Sequence, residues 1–235
     1  AARKCFLCAE NRPQVQEGVE FNNFIVLVNP FPIFPEHFTI PLKAHLPQQI
    51  LPYFTHMLEL ASNMTDYLLF YNGPRCGASA PDHMHFQAGT KNFLPLVNDY
   101  FKLAISEKTC VQSLKNAQVY ESKQFKRTFY CIESTDHQDA FEAFKHLYAR
   151  FVDAGNPELE PMMNLVCLHN HGKCYTFVLP RKAFRPWQYA AEAENQLLIS
   201  PATVEMFGVF ITPVESHFNR ISASDIESIF EQTSF

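Results

Sequence analysis

The sequence predicts an α+β fold: antiparallel sheets flanked by helices, built as two related halves packed as one body. Three observations carry this. Apolar runs of strand length recur along the chain, bounded by proline-, glycine- and asparagine-containing turns. Two longer stretches space their apolar residues at helical intervals instead. In each half such a helix is followed by two strand-length runs, and no low-complexity linker separates residues 1–105 from residues 106–235.

Residues 24–29 (FIVLVN) form a strand, and 37–42 (HFTIPL) a second one after the proline-rich turn PFPIFP. From Pro47 to about Tyr67, the positions Ile50, Leu51, Phe54, Leu58, Ala61 and Leu68 follow helical spacing. Strands follow at 67–72 and 82–88, with a run of small residues between them. The second half repeats the outline with a strand at 126–133 and a helix at 136–152, whose Phe141, Phe144, Leu147 and Phe151 line one face. Two strands at 162–169 and 174–180 then meet at the tight turn HNHGK. A strand at 205–212 and a helix at 222–232, with Ser222 as N-cap, close the chain.

The 235 residues suffice for a real core, and 23 phenylalanines point to wide sheets with aromatic packing. A net charge of −5 without a basic block argues against a nucleic-acid groove. No apolar run approaches the ~20 residues of a membrane span, and no signal-peptide pattern is visible. Seven scattered cysteines are an odd number and make no disulfide framework, so a reducing, cytoplasmic setting is expected.

Two clusters carry chemistry. The first is Cys5-Phe6-Leu7-Cys8, whose spacing suits a metal knuckle, a redox pair or two unrelated buried thiols. A structural zinc needs four ligands and the sequence has no second such pair, so the other two must be distant histidines. His45, at the end of the second strand, and His83 are the candidates. Cys5, Cys8, His45 and His83 would then form a closed tetrahedral set with no open position for water.

The second cluster is GASAPDHMHFQAG, residues 77–89, which alternates His83, His85 and Gln87 with Met84 and Phe86. On a strand the first three share one face and the apolar pair the other. An isolated pair of strand histidines is ordinarily structural. Here Gly73, Gly77, Ala78 and Ser79 crowd small residues just upstream, where backbone N–H groups can approach a phosphate. Neutral imidazole is a good nucleophile toward phosphorus, and a glutamine amide can hold phosphoryl oxygens but has no proton to transfer. Ser79 would bond phosphate oxygens or shape the loop.

At these residues the sequence resembles the His-x-His-x-Gln branch of the histidine triad superfamily, which includes uridylyltransferases, dinucleoside tetraphosphate phosphorylases and GDP-hexose phosphorylases. The lead-in Gly77-Ala78-Ser79-Ala80-Pro81 is similar too, although Asp82 is an extra residue before the first histidine. CFLCAENR resembles the zinc-binding segment of the uridylyltransferases, and NPFPIFPEHFTIPLKAH the phosphorylase segment that enters the nucleotide site. FVLPRKAFRP (177–186) is similar to a segment of the GDP-hexose phosphorylases, with Phe184 where a histidine often stands.

The resemblance implies a histidine triad-like fold and ping-pong nucleotidyl transfer, with His85 as the covalent nucleophile. The substrate would be a nucleoside diphosphate-sugar or a dinucleoside polyphosphate, and the acceptor phosphate or a sugar phosphate. Because Gln87 cannot protonate a leaving group, transfer or phosphorolysis outranks hydrolysis. The other readings are a hydrolase of the same fold and a non-enzymatic, zinc-stabilised nucleotide-binding module. Base, sugar and acceptor are not legible. Nor is oligomeric state, although the family tendency is toward a homodimer.

Arg75, Lys91, Arg181, Lys182 and Arg185 are candidates for neutralising a diphosphate, Arg181 foremost because it follows a strand directly, and Gly77 for the phosphate loop. His169 and His171 flank a turn and read as a solvated hairpin tip ahead of a second metal pair, and Cys76 as a packing residue rather than a nucleophile. Catalysis is expected in the first half alone.

Overall fold

The computed structural model describes residues 4–235. The first half runs β1 (Gly18–Phe21), β2 (Phe24–Val28), β3 (His37–Pro41), α1 (Phe54–Asn63), β4 (Tyr67–Asn72) and β5 (His85–Thr90). After α2 (Pro95–Tyr100), the second half runs β6 (Thr109–Ser113), β7 (Ala117–Ser122), β8 (Phe129–Ser134), α3 (His137–Ala149), β9 (Met163–Asn170) and β10 (Lys173–Pro180). Four helices complete the chain: α4 (Trp187–Ala190), α5 (Thr203–Met206), α6 (Glu215–Arg220) and α7 (Ala223–Thr233).

All ten strands join one sheet in the order β1-β2-β3-β5-β4-β9-β10-β8-β7-β6. Every pairing is antiparallel, and read outward-in the two halves give the same sequence of strands and helix. They meet where β4 pairs with β9, from Leu69↔Cys167 to Asn72↔Asn164.

The alternation of the strands decides how the faces are covered. On one face, α1 and α3 lie side by side, with Phe54 and Phe144 stacked at 4.0 Å between ring centroids and 3° between planes. Met84, Phe86, Ala88, Leu165 and Val178 fill the core beneath them. On the other face Phe70, Phe129, Val166, Phe177 and Leu179 pack against Tyr100, Val204, Phe207 and Phe230 from α2 and the C-terminal segment. Over β8 and β10 this second face is thus filled with side chains.

The three expected helices are present as α1, α3 and α7, and the expected cap forms, Ser222 accepting from Asp225 N at 3.2 Å; Asp136 caps α3 likewise, accepting from Asp139 N at 2.9 Å. The strand expected at 205–212 is not formed. Residues 203–206 make one helical turn, and Gly208 follows with φ +106°. The apolar run that suggested a strand there buries Val204, Met206 and Phe207 from a turn rather than from a sheet. Strands β1, β6 and β7 are not predicted: β1 and β6 are the two edges of the sheet, and in all three the apolar alternation is weak.

Candidate active site

The pairing of β4 with β5 runs from Tyr67↔Thr90 to Phe70↔Gln87 and then stops. Beyond it, the buried side chain of Gln48 bridges the two strands. Its Oε1 accepts from His85 N at 2.8 Å, and its Nε2 donates to Asn72 O and His85 O, each at 3.0 Å. The backbone of His85 is therefore held by a side chain at the place where the ladder opens.

The imidazole of His85 is 3% exposed. Its Nδ1 lies 2.8 Å from His83 O, an acceptor only, so Nδ1 carries the proton and Nε2 keeps its lone pair. Burial pushes its pKa down to about 4, so the ring is neutral at physiological pH. A second chain of bonds fixes Gln87. Ile33 N donates to His37 Nδ1 at 3.1 Å, which leaves the proton on His37 Nε2 to donate to Gln87 Oε1 at 2.8 Å. The Gln87 oxygen is thereby occupied and its NH₂ group is the end left for other partners. Burial lowers the pKa of His37 as well, which keeps this donor–acceptor order neutral.

His85, Gln87, His37, Thr39 and Ser79 line a cavity of about 470 Å³. Val28, Phe31 and Ile33 supply apolar wall, and Phe6, Leu7, Asn11, Arg12, Pro13 and Gln16 of the N-terminal segment line it as well. Phe31 is 84% exposed at this edge, an aromatic face well placed for a flat ring. The cavity exists because the C-terminal helices that cover the second face elsewhere do not reach β2, β3 and the start of β5.

His83 lies outside the strand, which begins at His85. It turns instead into a cluster with Cys5, Cys8 and His45, whose ligand atoms all lie within 4.8 Å of one another. Cys5 Sγ–His83 Nδ1 is 3.2 Å, Cys8 Sγ–His45 Nδ1 3.1 Å and Cys8 Sγ–His83 Nδ1 3.6 Å. A sulfur–nitrogen edge of a tetrahedral zinc site spans about 3.6 Å, so the set fits a metal ion. Outer partners are in place too: His83 Nε2 donates to Leu42 O at 2.7 Å, and His45 Nε2 lies 3.5 Å from Asp82 Oδ2. Asp82, the extra residue before the first histidine, so acquires a position beside a ligand. The cluster could hold a metal ion.

The remaining candidates lie elsewhere. Ser79 lines the cavity, but Gly77 does not: with φ +101° it packs against Ala202, with no room for a side chain. Arg181 is 3% exposed, and its guanidinium donates to Thr233 O, Asn164 Oδ1, Pro201 O, Ala183 O and Phe184 O. With all its donors engaged by carbonyl oxygens, it fastens the C-terminal segment to the sheet and cannot reach over a phosphate. Arg75 donates to Glu160 O, Lys91 to Thr65 O and His169 O, and Arg185 to Ser200 Oγ. None of the three lines the cavity, and neither does Lys182. His169 and His171 flank the hairpin turn with His171 exposed, and Cys76 is buried.

His37 and Gln48 escaped sequence reading because their importance is a matter of partners far along the chain. The signal for His37 was its place in NPFPIFPEHFTIPLKAH, the segment resembling one that enters the nucleotide site.

Comparisons fit this geometry. Residues 1–90 match a family described as "Domain of unknown function (DUF4922)". No curated protein matches the chain. Among solved structures, yeast Ap4A phosphorylase superposes with a TM-score of 0.61 at 18% identity, covering 92% of this chain and 73% of that one. The same enzyme in complex with AMP gives 0.65 at 17% identity over 92% and 74%, and in complex with Ap4A 0.62 at 15% over 92% and 74%. The chain therefore has the histidine triad-like fold, as its motifs indicated.

Proposed function

We propose that this chain is a nucleotidyltransferase or phosphorylase acting through a covalent nucleotidyl-histidine at His85. The observation that carries this is the hydrogen bond from His85 Nδ1 to His83 O. It leaves a neutral Nε2 lone pair as the nucleophile in a cavity that also presents Gln87 and Ser79. The likeness of the fold to a phosphorylase supports it.

In the first step Nε2 attacks the α-phosphorus of a nucleoside diphosphate-sugar or dinucleoside polyphosphate. A P–N bond forms, the bridging P–O bond breaks, and its electron pair leaves with the departing phosphate. The Gln87 NH₂ and Ser79 stabilise the non-bridging oxygens as charge shifts. A phosphate oxygen of the acceptor, inorganic phosphate or a sugar phosphate, then attacks the same phosphorus and returns the electron pair to Nε2. Gln87 offers no acidic proton, so the departing group must be one that leaves as an anion, and a phosphate acceptor is favoured over water.

Cys5, Cys8, His45 and His83 would hold zinc, whose part is structural: four protein ligands leave it no open position. The metal ties the N-terminal segment to the backbone that bears His85. Thiolate ligands suit a reducing, cytoplasmic setting. We assign catalysis to residues 1–105 and read 106–235 as a related half whose equivalent face is packed solid.

Incubation with radiolabelled nucleotide sugars or Ap4A, followed by denaturation, should leave acid-labile label on the wild type. His85→Ala should lose label and turnover while still binding nucleotide. A wild type that binds nucleotide but never labels would leave only the zinc-stabilised binding module. Label that turns over to free nucleotide without phosphate would favour the hydrolase.

A further inference from the structure

A nucleotide cavity must meet negative charge somewhere, and none of the cations the sequence nominated for that task lines it. Among the described residues lining the cavity, Arg12 is the one side chain with a fixed positive charge. It follows the Cys5–Cys8 knuckle in the N-terminal segment, whose residues line the cavity together with His85 and Gln87. Its Nε is buried with no hydrogen-bond partner, a rare state for a guanidinium donor. With Nε closed off from solvent, an incoming oxyanion would be met by the terminal nitrogens of the fork, Nη1 and Nη2.

We propose that Arg12 is the anion-binding residue of this cavity, and that the cavity takes nucleotides with a short phosphate bridge in preference to long polyphosphates. The inference rests on the cavity being a nucleotide site but not on His85 chemistry. The charge balance supplies the second part. One guanidinium can complement one or two phosphates, whereas a tetraphosphate bridge carries about four negative charges that P–O oxygens must share with further donors. The neighbouring surface is unsuited to that: Glu10 and Glu20 lie beside Arg12, and Glu20 already pairs with Lys43 at 3.0 Å.

The test is binding at equilibrium, by calorimetry, of AMP, GMP and UMP against adenosine, guanosine and uridine. At least one pair should show the monophosphate binding about 10- to 100-fold more tightly than its nucleoside, as a charge-assisted pair supplies. Arg12→Gln should erase that preference while nucleoside affinity stays within about 2-fold, and Arg12→Lys should restore part of it. Thermal melting of each variant within a few degrees of the wild type reports on folding. For the preferred base, the triphosphate should gain less than about 3-fold over the monophosphate.

Retention of the full preference in Arg12→Gln would overturn the assignment, as would a wild type indifferent to the phosphate. A tenfold gain from monophosphate to triphosphate would overturn the short-bridge part. A wild type that prefers the monophosphate but takes no label on His85 would leave Arg12 standing and remove the covalent mechanism.

Discussion

Replacing Gln48 by leucine removes the bridge that holds the β4–β5 split together. Gln48 is 2% exposed, and its amide makes three bonds of 2.8–3.0 Å to three backbone groups. Leucine fills much of the same volume but leaves His85 N, His85 O and Asn72 O without these partners. Each stranded backbone group costs about 1–2 kcal/mol, so the variant should lose about 3–6 kcal/mol. Domains of this size have about 5–15 kcal/mol to lose and move by about 2–4 °C per kcal/mol, so the melting midpoint should fall by about 6–24 °C. Urea unfolding followed by far-UV circular dichroism measures the loss directly. Gln48→Glu is the informative companion, since it keeps an acceptor for His85 N and forfeits both donations. A Gln48→Leu protein within 1 kcal/mol of the wild type would refute the reasoning, because water or a strand shift would then satisfy all three groups at no cost.

Two further outcomes follow from buried groups. Burial raises the pKa of Glu160 to about 7 although it accepts from Tyr71 OH and Ile50 N, each at 2.6 Å. Between the unfolded value near 4.5 and 7 the folded state holds more protons, so stability should fall as pH rises through that window, by on the order of 3 kcal/mol. Glu160→Gln should flatten the slope in urea titrations at pH 5, 6 and 8, and an unchanged slope would place its origin elsewhere. Removing metal with a strong chelator should speed amide hydrogen exchange from Leu7 to Asn11 more than tenfold while β9 and β10 keep their protection. Equal protection with and without chelator would show that the four ligands need no ion to hold the N-terminal segment.

The sequence by itself determined the fold class and the helices α1, α3 and α7, and it singled out His85 and Gln87 as candidates, because those signals are local. The alternation around His85 and Gln87 sorts Met84, Phe86 and Ala88 onto the helix-covered face without reference to the rest of the chain. Two thiols three apart and an unpaired count of remaining ligands pointed to His45 and His83, and these four do converge. Edge strands and the 203–209 turn were not legible, since a short apolar run buries equally well from a turn as from a strand. Charged residues were the least legible of all. Arg181 and Arg12 look alike in sequence, yet one spends its donors on five carbonyl oxygens and the other lines the cavity. Side-chain periodicity is imposed by backbone geometry within a few residues, whereas a long cation's partners are chosen by whatever the folded chain brings beside it.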